Sequence, residues 1–276
     1  MPSKNGFELQ ERDIELLHYT YQLRLATIDH LAMLSRRSVR SLWSRLHKLK
    51  KRRYLDSAAR FMQKHVYAVG SAGVALLIEE GYAPQSLRSR RLRHIELTEI
   101  GIRHSLFVAD IHARMLLDTR SKSTYLSDWQ EGSALWDSVV PQAGVSAIPI
   151  RPDAYFVLKH LERPEGRNQF HIFLEADRST MSHERMASKI MGFLAYYEQG
   201  LHTRKYPGML GFLVAMVTLT RSRADELRRD LQPMIPSAAR SAYLFISFED
   251  LSLDALLPKA IAKGGLTRGG LREARD

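Results

Sequence analysis

The chain of 276 residues contains no cysteine. That excludes disulfides, Cys-ligated zinc, iron–sulfur clusters and thiol nucleophiles. Long apolar runs are also missing. The strongest, Met209 to Leu219, is too short for a bilayer, which needs about 20 residues, so no membrane association is expected. Met1–Gln10 does not follow the basic-then-apolar plan of a signal peptide, which makes the cytoplasm the expected location. There is no Gly-x-x-x-x-Gly-Lys-Ser/Thr loop, no strand-bound Gly-x-Gly-x-x-Gly and no Gly-x-Ser-x-Gly elbow, and the eleven histidines form neither His-Glu-x-x-His nor an i, i+4 pair. ATP use, NAD use, serine hydrolysis and zinc proteolysis therefore have no sequence support.

Acidic residues are the scarcer charge, 30 against 41 Lys and Arg, for a net charge of +11. The excess is local. Residues 1–103 hold 19 basic and 10 acidic side chains, and the remainder 22 and 20. Residues 36–53 carry nine basic residues and no acid. A basic surface of this density suits an acidic polymer, although a merely solvated basic face has the same composition.

Apolar spacing predicts three helices at the N-terminus. Ile14, Leu17, Tyr21 and Leu25 mark the first. The second is capped by Thr27 and carries Ile28, Leu31 and Leu34; the third follows Ser35, with Val39, Leu42, Trp43, Leu46 and Leu49 on one inward face. Trp43 is accordingly assigned to the core. A two-stranded hairpin ending in His65–Val69 completes the plan of a winged helix-turn-helix, whose third helix enters the major groove of duplex DNA. Arg36, Arg37, Ser38, Arg40 and Ser41 are the candidate base readers. Arg45, Lys48, Lys50, Lys51, Arg52, Arg53 and Arg60 are candidate DNA-backbone contacts. Double-stranded DNA is thus the expected partner. A homodimer is the expected state, because winged helices commonly read palindromes.

The predicted organisation is a winged helix over residues 1–82, a basic linker over 83–94, an α/β (α+β) domain over 95–258 and a Gly-rich tail over 259–276. The second domain should contain a helix over residues 95–117, strands at 124–129, 148–158 and 170–176, a helix over 182–199, a buried strand at 210–219, a helix over 223–231 and a strand at 243–248. Its carboxylates gather on adjacent strands: Asp153 opens one, and Glu175 and Asp177 share a face of the next. Three carboxylates at a hairpin end could hold Mg²⁺ or Mn²⁺. They fit equally well a polar strand end paired with Arg151 and Arg178.

The pieces His104-Ser-Leu-Phe-Val-Ala-Asp110, Trp129-Gln-Glu131, Pro152-Asp153-Ala-Tyr-Phe, Phe173-Leu-Glu175-Ala-Asp177-Arg178-Ser-Thr180, Lys189, Tyr196-Tyr197 and Tyr206-Pro207 resemble, in order and spacing, the replication-relaxation proteins of plasmids and other mobile elements. The resemblance runs from the winged helix to about residue 220. It implies a PD-(D/E)XK nuclease-like core, related to relaxases that nick plasmid DNA. It also implies catalysis by Asp153 and Glu175, with a Mg²⁺ or Mn²⁺ cofactor if the core is active and none otherwise. Where that pattern has a lysine this chain has Asp177, and Lys189 on the following helix is the candidate substitute. An exposed Lys189 is the alternative. Glu131 and Asp110 are weaker candidate metal ligands, and His183 is expected at the surface. Three functions follow: a metal-dependent nickase, a sequence-specific regulator or replication accessory whose inactive core dimerises, or a core that binds transfer, replication or defence proteins.

Overall fold

A computed structural model describes residues 7–61, 64–84, 98–119, 123–142, 144, 146–179 and 181–257, with side chains except at 58–61 and 64. The linker from residue 85 on, the tail over 259–276 and the side chain of Arg60 lie outside the described residues. The chain divides into two units, residues 1–113 and 114–276. The division falls inside a helix, α5 (Glu99–Asp118). Among the described residues no helix is long and apolar enough to cross a membrane.

In the first unit, α1 (Glu11–Leu23), α2 (Ile28–Ser35) and α3 (Val39–Lys51) precede the hairpin β2 (Leu55–Phe61) and β3 (Lys64–Val69), and α4 (Ser71–Glu79) follows. A short strand not expected from the sequence, β1 (Ala26–Thr27), pairs with β3, giving the antiparallel order β1-β3-β2. Leucines fill the centre: Leu16 and Leu17 of α1, Leu31 and Leu34 of α2, Leu42, Leu46 and Leu49 of α3. Thr27 caps α2 as predicted, its hydroxyl accepting from the His30 amide at 3.4 Å while His30 Nδ1 accepts from the Thr27 amide at 3.1 Å. That second bond leaves His30 Nε2 as the donor to Asp110 Oδ1, 2.6 Å away on α5. The turn between α2 and α3 is made by Arg36 in the left-handed region (φ 57°), and Ser38 caps α3 through the Ser41 amide at 3.2 Å. α4 starts against the turn that ends α3; a Cβ at Gly73 would collide with the Tyr54 carbonyl, so only glycine allows this approach.

The second unit is built on a mixed five-stranded sheet of order β10-β9-β8-β7-β4, which bears out the expected fold class of a helical N-terminal part followed by an α/β sheet domain. Its strands are β4 (Thr124–Gln130), β7 (Ala154–His160), β8 (Gln169–Asp177), β9 (Leu213–Thr218) and β10 (Tyr243–Ser247). β4, β7 and β8 run antiparallel, whereas β8, β9 and β10 are parallel, joined by α6 (His183–Glu198) with α7 (Leu201–Lys205), and by α8 (Arg221–Leu231). Every residue of β9 is buried, as a central parallel strand requires. The expected strand 148–158 is broken in two. β6 (Ile148–Ile150) leaves the main sheet to pair with β5 (Asp137–Val139), and β7 begins only at Ala154. Pro152 lies at the break, where its missing N–H cannot join a ladder. The last element among the described residues is α9 (Leu253–Leu256). α6 buries Met186, Ile190, Phe193, Tyr196 and Tyr197, and packs on β6 at Gly192, where a Cβ would press on Ile148 at 2.9 Å.

Candidate nucleic-acid interface and candidate active site

On α3 the three buried leucines are four and three residues apart, which turns one stripe inward. At 3.6 residues per turn Trp43 lies about 100° round from Leu42, and it is 64% exposed; Val39 is 44% exposed. Both were expected in the core. The spacing misled because a residue next to an apolar stripe reads as part of it, although three leucines already fill the inward arc. The outward face presents Arg40, Ser44, His47, Lys48 and Lys51. Among the described residues, Arg40, Lys48 and Lys51 have no carboxylate partner.

The other predicted DNA residues separate by what holds them. Ser38 and Ser41 are occupied with each other at the helix start, Ser41 Oγ donating to the Ser38 carbonyl at 2.8 Å. Arg36 is exposed in the turn, and Arg37 reaches back to Glu15 at 3.3 Å. Arg45 is not offered to a ligand. Its Nε donates to the fully buried Asp13 at 2.6 Å, its Nη2 donates to the Glu8 carbonyl at 2.7 Å, and its guanidinium lies over the Phe7 ring at 4.5 Å. The hydrogen bond to Asp13 raises the Arg45 pKa further above its usual range. Arg45 is therefore the pin that ties α3 to α1. The Arg52 guanidinium also lies over the Phe7 ring, at 4.1 Å. Lys50 is half-buried, and Arg53 is exposed in a left-handed turn (φ 61°).

In the second unit Asp153 immediately precedes Ala154 and Glu175 immediately follows Leu174, the last paired residues at one end of the β7–β8 ladder. Asp153 Oδ2 accepts from the Ala176 amide at 2.7 Å, and the Asp153 amide donates to the Leu174 carbonyl at 2.9 Å. Glu175 is 1% exposed, and its Oε2 is ion-paired with the ammonium of Lys189 from α6. The same ammonium lies 3.4 Å from the Arg151 carbonyl. Lys189 thus leans onto the sheet, the first of the two placements its position three residues after Met186 left open. Glu131 comes just after β4 and accepts from the Trp129 indole at 2.8 Å. Asp110 is bonded to His30 in the first unit.

Asp177 is equally buried, at 1% exposure, but is turned to another partner. Arg223 at the start of α8 donates to its Oδ2 at 2.8 Å, and the Ser179 amide donates to its Oδ1 at 3.0 Å. Arg223 also donates to the Met181 carbonyl at 2.9 Å and lies 2.8 Å from His183 Nε2 and 3.2 Å from Glu226. Burial alone would lower the Arg223 pKa, but its bonds to Asp177 and Glu226 leave it raised. His183, expected as a plain surface residue, is half-exposed and sits 2.8 Å from Glu226 and 3.1 Å from Asp230. Among the described residues, His183, Glu226 and Asp230 are the group whose ligand atoms all lie within 4.8 Å of one another; Asp153, Glu175 and Asp177 are not such a group. Asp153 and Glu175 thus stand at neighbouring backbone positions of two adjacent strands, each side chain with its own partner, and Asp177 belongs to a separate network with Arg223. Nothing local in the sequence marked Arg223, because its partner is 46 residues away.

The sequence profile of the replication-relaxation family matches residues 17–210, more than half of the chain. No curated protein matches the chain significantly. No solved structure does either.

Proposed function

Because the chain belongs to the replication-relaxation family, we propose that it is a DNA-binding protein of a plasmid or other mobile element. In this reading the outward face of α3 grips duplex DNA, and the sheet domain carries a divergent strand-nicking centre for replication or mobilisation. The observation that carries it is the reach of Lys189 to Glu175, beside Asp153. It supplies from a helix the lysine that a nuclease pattern has two residues after its second acid, where this chain has Asp177.

The donor set fits a hard cation only in part. Asp153 and Glu175 are oxygen donors at one sheet end, and Mg²⁺ or Mn²⁺ commonly uses one or two carboxylates with waters and substrate phosphates. Asp177 is committed to Arg223 and does not join them. A cation held by Asp153 and Glu175 would neutralise phosphoryl charge and lower the pKa of a bound water. The chain's own contributions are separate. The hydrogen bond from the Ala176 amide orients Asp153, and the Lys189 ammonium brings positive charge to the point where phosphoryl charge develops. The Asp177–Arg223 pair holds the end of β8 against α8.

A second reading rests on the same ion pairs. Glu175 is matched by Lys189 and Asp177 by Arg223, so the centre is also suited to an inactive core that dimerises while the winged helix acts as a sequence-specific regulator. The two separate in one experiment. With Mg²⁺ or Mn²⁺, supercoiled plasmid carrying the cognate site should be nicked, and Glu175→Ala should slow nicking by about a hundredfold or more while DNA retention is unchanged. Wild-type protein that retains the plasmid but leaves it supercoiled would select the regulator.

A further inference from the structure

The outward face of α3 is not only basic. Trp43 is 64% exposed and Val39, one turn before it, is 44% exposed. The indole is not a loose side chain, because it stacks on His47, with ring centroids 6.1 Å apart and planes 11° from parallel. Around this apolar ridge stand Arg40, Lys48 and Lys51, in a segment with no acidic residue between positions 36 and 53. Such a rim attracts a polyanion. A polyanion that also offers apolar groups at its recognition edge is duplex DNA. In the major groove that group is the C5-methyl of thymine, the one feature of a base edge that apolar side chains read.

We propose that Trp43, with Val39 beside it, is a thymine-methyl reading surface, so that this protein's site carries thymines under the middle of α3. The inference rests on the DNA-binding reading above and adds to it the base that is read and the residue that reads it. Arg40, on the same arc, positions the helix through the DNA backbone or reads a neighbouring guanine. The indole stacks near-parallel on the His47 ring and loses little conformational entropy on contact, as rigid aromatic contacts do.

The test starts from a duplex that the full-length protein selects from a random-sequence pool. Each thymine of that duplex is replaced in turn by deoxyuridine, which removes the methyl and nothing else. Wild-type protein should lose about fourfold in affinity for each contacted methyl. Trp43→Ala should bind the thymine duplex about tenfold more weakly, bind the thymine and deoxyuridine versions alike, and unfold at the wild-type midpoint, since the side chain is exposed. Trp43→Phe should restore part of the discrimination. A wild-type protein indifferent to every replacement, or a Trp43→Ala protein that keeps the discrimination, overturns the thymine reading while DNA binding stands. A Trp43→Ala protein that binds the thymine duplex as tightly as wild type overturns it in the same way. Failure to select any duplex overturns DNA binding itself, and this inference with it.

Discussion

The two units of this chain bury carboxylates in the same way, each against a cation, but differ in what the described cations of their candidate sites are left to do. In the first, Arg40, Lys48 and Lys51 face solvent from α3 without a carboxylate partner among the described residues, and the one deeply placed arginine of that helix, Arg45, is matched by Asp13. In the second, buried carboxylates each have a cation: Glu175 has Lys189 and Asp177 has Arg223. Unpaired cations at a surface cost the fold little and leave their full attraction for a polyanion. A buried carboxylate without its partner carries an uncompensated desolvation cost. The difference teaches where each proposed activity is to be tested: attraction for a polyanion in the first unit, and chemistry on a phosphate in the second.

That contrast can be broken most directly at α3. Replacing Arg40, Lys48 and Lys51 together by alanine should weaken DNA binding by on the order of a hundredfold at low salt and reduce the slope of log affinity against log salt by about three. The unfolding midpoint should not move. An unchanged slope in fluorescence titrations across a salt series would remove α3 from the interface.

The opposite outcome is expected in the second unit. Lys189→Ala leaves Glu175 buried without its cation and should destabilise the protein by about 3 kcal/mol in denaturant unfolding. The double change Glu175→Gln with Lys189→Met should recover most of that loss. Duplex affinity should stay at the wild-type value in both. If the double variant is as unstable as the single one, the pair is not the source of the effect.

The smallest predicted effect concerns the acid side. His112 is buried, and burial pushes its pKa down to about 3 although a backbone hydrogen bond involving Gln22 opposes this. A histidine depressed in the folded state binds its proton more readily when unfolded. Its contribution to stability is therefore complete above the unfolded value of about 6.5 and is lost as pH falls towards about 3. Between pH 6 and pH 5 the first unit should lose about 1 kcal/mol on this account. His112→Gln should flatten that slope, which denaturant curves at the two pH values would show.

How much of this was legible depended on distance along the chain. Helices α1, α2 and α3 were legible because each carries its own apolar stripe, and β9 because it lies in a near-continuous apolar run. Asp153 and Glu175 could be brought together from sequence because one short hairpin joins their strands. Lys189 could be suspected from its place beside Met186. The break of the strand before Asp153 was missed although Pro152 signalled it, since the apolar residues on both sides outweighed the prolines at 149 and 152. Trp43 was misplaced because hydrophobicity reports what a side chain prefers, whereas the packing of Leu42, Leu46 and Leu49 had already filled the inward arc.

The sequence by itself determined that the positive charge is concentrated at positions 36–53, that three helices precede a strand pair, and that carboxylates stand on neighbouring strands of an α/β sheet domain. These are local properties of composition and periodicity. Only the tertiary structure decided which of the charges are exposed and which are spent on one another. Arg45 meets Asp13 across 32 residues and Arg223 meets Asp177 across 46. An ion pair is a matter of a few ångströms between side-chain ends, and a chain specifies that distance only after its hydrophobic faces have packed.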